Sequence, residues 1–264
     1  MFGRGDDNGE EESTVILLNP HLSELNGDIL YHLGLGTNTH DLVKMFGDVK
    51  HGIGVPSLQI LLHEIIKLMY YAKVKNPVFF RIGTCGGIGI KAGSVVVSKG
   101  AVNEMIEPYY EQIVLGEKMQ RPAKLDQDLA QELLSLSEPD DGFDVISGQT
   151  MCSYDFYEGQ GRCDGAFCYF SEVAKQDYLK KLHDAGVRNI EMEATCFSAL
   201  TNLANIKAAI VCVAFLNRFE GDQKLDYCEF IARLFENYKK LIDQQCTTES
   251  DDTMCMRNTF NSNI

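Results

Sequence analysis

The chain has 264 residues, 45% hydrophobic and 23% charged, which suits one large domain or two small ones with a sizeable core. Its 24 Lys and Arg against 38 Asp and Glu give a net charge of −14. So acidic a body excludes non-specific nucleic-acid binding, yet a few buried arginines could still hold a small anion. No apolar run reaches bilayer length and no basic-then-apolar leader opens the chain, so neither membrane nor secretion is expected.

Residues 1–13 are polar and acidic and read as a disordered leader. Residues 15–19 make a short apolar run, and residues 34–52, rich in Gly, Asn, Asp and Thr, read as loop. From Pro56, a suitable first helical residue, Leu58, Leu61, Leu62, Ile65, Ile66 and Met69 mark a helix to about Ala72. Residues 77–83 read as a buried strand, 83–89 as a glycine-rich turn, and 94–98 as a second strand. Helical spacing returns over 124–137, a strand over 144–150, and a polar loop over 151–167. An amphipathic helix spans 171–185, a short strand 188–192, a helix of small residues 194–204 and an apolar strand 208–216. A charged amphipathic helix is expected over 224–244, then a polar tail from 246.

Helices alternating with strands define an α/β class with a mostly parallel sheet. Ligands then gather beyond the carboxyl ends of strands. The nine cysteines form no C-x-x-C pair and several sit in apolar stretches, so they read as reduced thiols of a cytoplasmic protein, with no clustered metal ligands.

Three segments after strands carry chemistry. In Arg81-Ile82-Gly83-Thr84-Cys85-Gly86-Gly87, an arginine on an apolar strand is either a paired structural residue or part of an anion site, with backbone N–H groups freed by glycine. In the segment from Asp155 to Arg162, the Gln160 amide, the Arg162 fork and the Phe156 ring could frame a planar heterocycle; the alternative is a polar surface loop. In Glu191-Met192-Glu193, two acids could accept from a sugar diol or merely favour a helix N-terminus. His32 and His51 are the histidines nearest polar, Gly-rich segments.

These segments, with Asp28-Ile29-Leu30-Tyr31-His32, Met45-Phe46-Gly47-Asp48-Val49-Lys50, His51-Gly52-Ile53-Gly54-Val55-Pro56-Ser57 and Asn217-Arg218-Phe219-Glu220-Gly221-Asp222-Gln223, resemble the animal-type uridine phosphorylases of the nucleoside phosphorylase superfamily over about residues 15–225. The resemblance implies a three-layer α/β/α fold with a mixed central sheet in a single domain over 14–245. It implies cleavage of uridine by phosphate to uracil and ribose 1-phosphate, with phosphate as co-substrate and neither cofactor nor metal. By resemblance Arg81 and Thr84 contact phosphate, and Gly86, Phe156, Gln160 and Arg162 hold uracil. Thr84, Met192 and Glu193 hold ribose, and His32 reaches the ribose of a neighbouring subunit, which implies a homodimer or larger assembly. Arg81, Gln160, Arg162 and Glu193 would carry catalysis.

One departure is large. In the family several tens of residues separate Gly-Asp-Val-Lys from His-Gly-x-Gly-x-Pro-Ser, whereas here Lys50 is followed directly by His51. The shortened chain is expected to lack N-terminal sheet strands and other phosphate arginines. The alternative reading is therefore a catalytically impaired isoform that binds nucleoside or pairs with another subunit. Cys85 stands where the family has a hydroxyl residue.

Overall fold

The computed structural model describes residues 14–19, 29–30, 35–36, 49–137, 142–222 and 253–258. The expected leader, His32, the 224–244 helix and most of the tail lie outside these residues. In chain order the elements are β1 Ile29–Leu30, β2 Leu35–Gly36, β3 Val49–His51, α1 Val55–Tyr71, β4 Val78–Gly87, β5 Val95–Val102, β6 Tyr109–Val114 and β7 Glu117–Pro122. There follow α2 Gln127–Ser135, β8 Val145–Cys152, α3 Glu172–Asp184, β9 Val187–Glu191, α4 Ala194–Leu203, β10 Lys207–Asn217 and β11 Thr253–Asn258.

The main sheet runs β10-β5-β8-β9-β4-β11-β3, and β10 pairs a second time, with β4. The strands β10, β5, β8, β9 and β4 therefore close on themselves. The sheet is mixed, and five of its seven strand pairings among the described residues are parallel. β4 and β10 run parallel from Val78–Lys207 to Gly87–Asn217, while β5 meets β10, and β9 meets β4, antiparallel.

Period-two alternation sorts the sheet's side chains onto two faces. Phe79, Val96, Ile210 and Cys212 join α1 and α4 in one cluster, whereas Phe80, Ile82, Val97, Val211 and Val213 join Leu129 and Leu133 of α2 in another. Leu179 and Leu182 of α3 pack with Val187 and Ile190 of β9. The result is a three-layer α/β/α arrangement. α4 is buried at every position from Ala194 to Thr201, which its small side chains allow.

Three differences from the sequence reading stand out. The glycine-rich segment expected as a turn is strand through Gly87, because β10 and β9 pair with its backbone and override the local glycine preference. A hairpin, β6–β7, occupies 109–122, turning at Leu115 and Gly116, both with positive φ. Residues 253–258, inside the expected polar tail, pair as β11 beside β4 and β3. That placement satisfies strand edges that would otherwise stand open.

Candidate active site

A cavity of about 290 Å³ opens where β4, β9 and β10 end. β4 supplies Thr84, Cys85 and Gly86; β9 and the turn after it supply Ile190, Glu191, Met192 and Glu193; β10 and its exit supply Phe215, Leu216 and Arg218. The 151–167 loop adds Phe156, Gln160 and Arg162, and Ile53 closes the rim. Thr84, Gly86, Phe156, Gln160, Arg162, Met192 and Glu193, drawn from three separated segments of sequence, thus share one cavity. This placement makes Phe156, Gln160 and Arg162 part of a cavity wall rather than of a free surface loop.

The loop side of the cavity is shaped by local hydrogen bonds. Asp155 Oδ2 accepts from the N–H groups of Tyr157 and Gly159, which shapes the loop before a short 3-10 turn at Glu158–Gln160. Gly161 has φ 66, a conformation glycine adopts without steric cost, and lets the chain turn between Gln160 and Arg162. The Arg162 guanidinium is held bidentately by Asp164, at 2.9 and 2.6 Å, and lies 4.6 Å from the Phe156 ring centroid.

Arg218 is 1% exposed and anchors this side from beneath. Its Nη2 donates to the Gln160 carbonyl at 2.9 Å and to Asp222 Oδ1 at 3.0 Å. Asp222 in turn accepts from Lys175 Nζ and the Cys163 N–H. Against the upward push of burial, these two donors hold the Asp222 carboxyl below its usual range. Arg218 Nη1 is buried without a partner among the described residues, in the wall of the cavity. Sequence reasoning quoted this arginine in a motif and assigned it no role. A signal is present in the sequence: Arg218 directly follows the apolar strand β10, as Arg81 lies within the apolar strand β4.

Arg81 is placed differently from the other expected residues. It is 0% exposed and does not line the cavity. Its Nη2 lies 2.8 Å from Glu191 and contacts Glu193 more closely still, while Nη1 reaches Cys212 Sγ at 3.5 Å. The helix-terminal reading of the acidic pair describes Glu191. Glu191 accepts the N–H groups of Glu193 and Ala194 at the start of α4, as a helix-terminal acid does, and also pairs with Arg81. Glu193 binds Arg81 through one oxygen and accepts the Gly54 N–H through the other.

One guanidinium thus faces two buried carboxylates. Burial pushes the Glu191 carboxyl up to about 8, with Arg81 opposing and Glu193 adding to the rise. His51 lies close enough to feel both Arg81 and Glu193. Burial first, then the Arg81 charge, pulls its imidazole down to about 4, so it is neutral at pH 7. Its Nδ1 is 2.7 Å from the Gly52 carbonyl, and Nε2 is buried without a partner among the described residues. Cys85, Cys152, Cys163, Cys168, Cys196 and Cys212 are free thiols, and the described residues contain no cluster of metal ligands.

A closed, mixed sheet with a nucleoside-sized pocket at its strand ends defines the class, and comparison with known proteins agrees. The family model for the phosphorylase superfamily matches residues 48–242. Mouse uridine phosphorylase 1 is 40% identical over 270 residues, covering 82% of this chain and 87% of its own length. The Schistosoma mansoni protein named inactive uridine phosphorylase B is 35% identical over 78% of this chain and 87% of its own. The crystal structure of Schistosoma mansoni uridine phosphorylase in complex with thymine superimposes with a TM-score of 0.83 at 33% identity, covering 88% of this chain and 99% of that one. The chain belongs to the phosphorylase superfamily and, within it, to the uridine phosphorylases.

Proposed function

We propose that this protein cleaves uridine with inorganic phosphate, releasing uracil and ribose 1-phosphate. The observation that carries this reading is the single cavity uniting Gln160, Arg162 and Phe156 with Met192, Glu193 and Thr84. Uracil lies against Phe156, its carbonyl and imide edge meeting the Gln160 amide and the Arg162 fork, beside Gly86, whose lack of a side chain makes room for Arg218. Glu193 and Met192 hold the ribose. As the N1–C1′ bond breaks, its electron pair moves onto uracil and positive charge grows on the sugar. Donors fixed at the base edge stabilise the departing anion. A phosphate oxygen, positioned beside Thr84 on the other side of the sugar, forms the new bond to C1′. Arg81 supplies positive charge behind Glu193. His32 completes the ribose site from a neighbouring subunit of a cytoplasmic homodimer or larger assembly.

A second reading, a chain that binds nucleoside with impaired turnover, is favoured by one observation: the Arg81 guanidinium is fully buried outside the cavity, its Nη2 given to Glu191 and Glu193 and its Nη1 to Cys212. The relatives support it too. The mouse alignment runs over 270 residues but covers 82% of 264, about 216, so roughly 54 positions have no counterpart here.

The test is uracil release from uridine with and without phosphate. Phosphate-dependent release that falls about 100- to 1000-fold in kcat/KM for Gln160→Ala or Arg162→Ala supports the first reading. Uridine binding by calorimetry without phosphate-dependent release supports the second. Neither binding nor release overturns both.

A further inference from the structure

We infer that the C-terminal strand β11 is a structural substitute, drawn from the far end of the chain, that seals the open half of β4 and ties the Gly52–Gly54 segment to the sheet. The inference stands on topology and does not depend on the reaction proposed above.

β4 has two edges. One is paired with β10 along its whole length, Val78 to Gly87. The other is divided. β9 reaches it only at Gly86 and Gly87, and β11 pairs with it from Val78 to Ile82. Val78, Phe79, Phe80, Arg81 and Ile82 are all buried, so this is interior backbone. Without β11 its polar groups on that edge would lack partners, and buried backbone groups left unpaired are destabilising.

β11 also carries the next strand. β3 meets the main sheet through β11 alone among the described residues, by the pairs Met256–Val49, Arg257–Lys50 and Asn258–His51. From His51 the chain passes to Gly52, Ile53 and Gly54. Ile53 lines the cavity, and the Gly54 N–H donates to Glu193. Gly54 has φ 87 and begins α1, so its position is set by the strand before and the helix after. The tail thereby helps hold a wall of the site.

The substitution answers a specific deficit. Roughly 54 positions of the mouse relative have no counterpart here, yet this chain still builds a sheet flanking β4 on both edges. Thr-Met-Cys-Met-Arg-Asn contains neither Gly nor Pro and carries one charge, which permits an extended strand between two neighbours.

Amide hydrogen exchange followed by NMR tests this on the full chain and on one ending at Asp252. In a parallel strand, successive residues aim their backbone groups at opposite neighbours. In the full chain, residues 254–257 should exchange as slowly as the β4 amides they pair with. In the shortened chain, alternate amides over Val78–Ile82, those facing β11, should lose about a hundredfold or more in protection, while those facing β10 keep theirs. Fast exchange at residues 254–257 of the full chain overturns the inference, whether or not the shortened chain folds. Unchanged protection of β4 in a folded shortened chain overturns it equally.

Discussion

Arg81, Glu191 and Glu193 form the most consequential group of side chains in the molecule. One cation between two carboxylates, all buried, leaves one negative charge in excess, and a proton on Glu191 relieves it. The folded pKa of Glu191, about 8, lies above its ordinary 4.5, so the folded state binds the proton more tightly than the unfolded one. Its contribution to stability is fully present below pH 4.5 and is lost as pH rises through 8. His51 has the opposite sign. Lowered from 6.5 to about 4, it contributes above 6.5 and loses that contribution as pH falls through 4. The two oppose each other in mild acid and separate above pH 6.5. Glu191→Gln should therefore remove a decline in stability between pH 6.5 and 8, on the order of 1–2 kcal/mol. Urea unfolding of both proteins at the two pH values measures it; equal slopes would place the proton elsewhere. None of this was legible in the sequence, where Arg81 offered an anion site or a structural pair on equal terms. The Glu193 partner stands 112 residues away, and local spacing carries no record of such a partner.

At the scale of elements, the sequence was most informative where one face of a helix meets the core. The apolar spacing from Leu58 to Met69 specified α1, and that of Leu179 and Leu182 places α3. It was least informative where backbone pairing overrides side-chain pattern. Gly83, Gly86 and Gly87 read as a turn, yet they continue β4 because β10 pairs with all three and β9 with the last two. The β6–β7 hairpin escaped notice because its exposed strands alternate weakly, although Leu115-Gly116 between them is a turn signal. Helix ends were legible in chemistry if not in register. Asp126 caps α2 by accepting the Leu129 N–H at 2.8 Å. Asp126→Ala should cost about 1 kcal/mol by loss of that cap. No α2 residue lines the cavity, so kcat/KM for uridine should stay unchanged. A thermal melt alongside an activity assay distinguishes local fraying from a remote effect on the site.

At the scale of the whole molecule, the cavity is assembled from contacts between distant parts of the chain. The Gly54–Glu193 hydrogen bond joins residues 139 apart, Arg81–Glu193 joins residues 112 apart, and Gln160–Arg218 residues 58 apart. Ring closure by β10 against both β4 and β5 is likewise non-local. Contacts of long sequence separation form late, since chain closure must precede any reward from them. α1 and α3 need no such closure to gain helical backbone. On dilution from denaturant, the far-ultraviolet circular dichroism signal should recover first and the capacity to bind uridine last, as a distinct slower phase. A nascent chain would thus display its helices well before it could recognise a nucleoside, and the order of its assembly is written into the distance between Gly54 and Glu193.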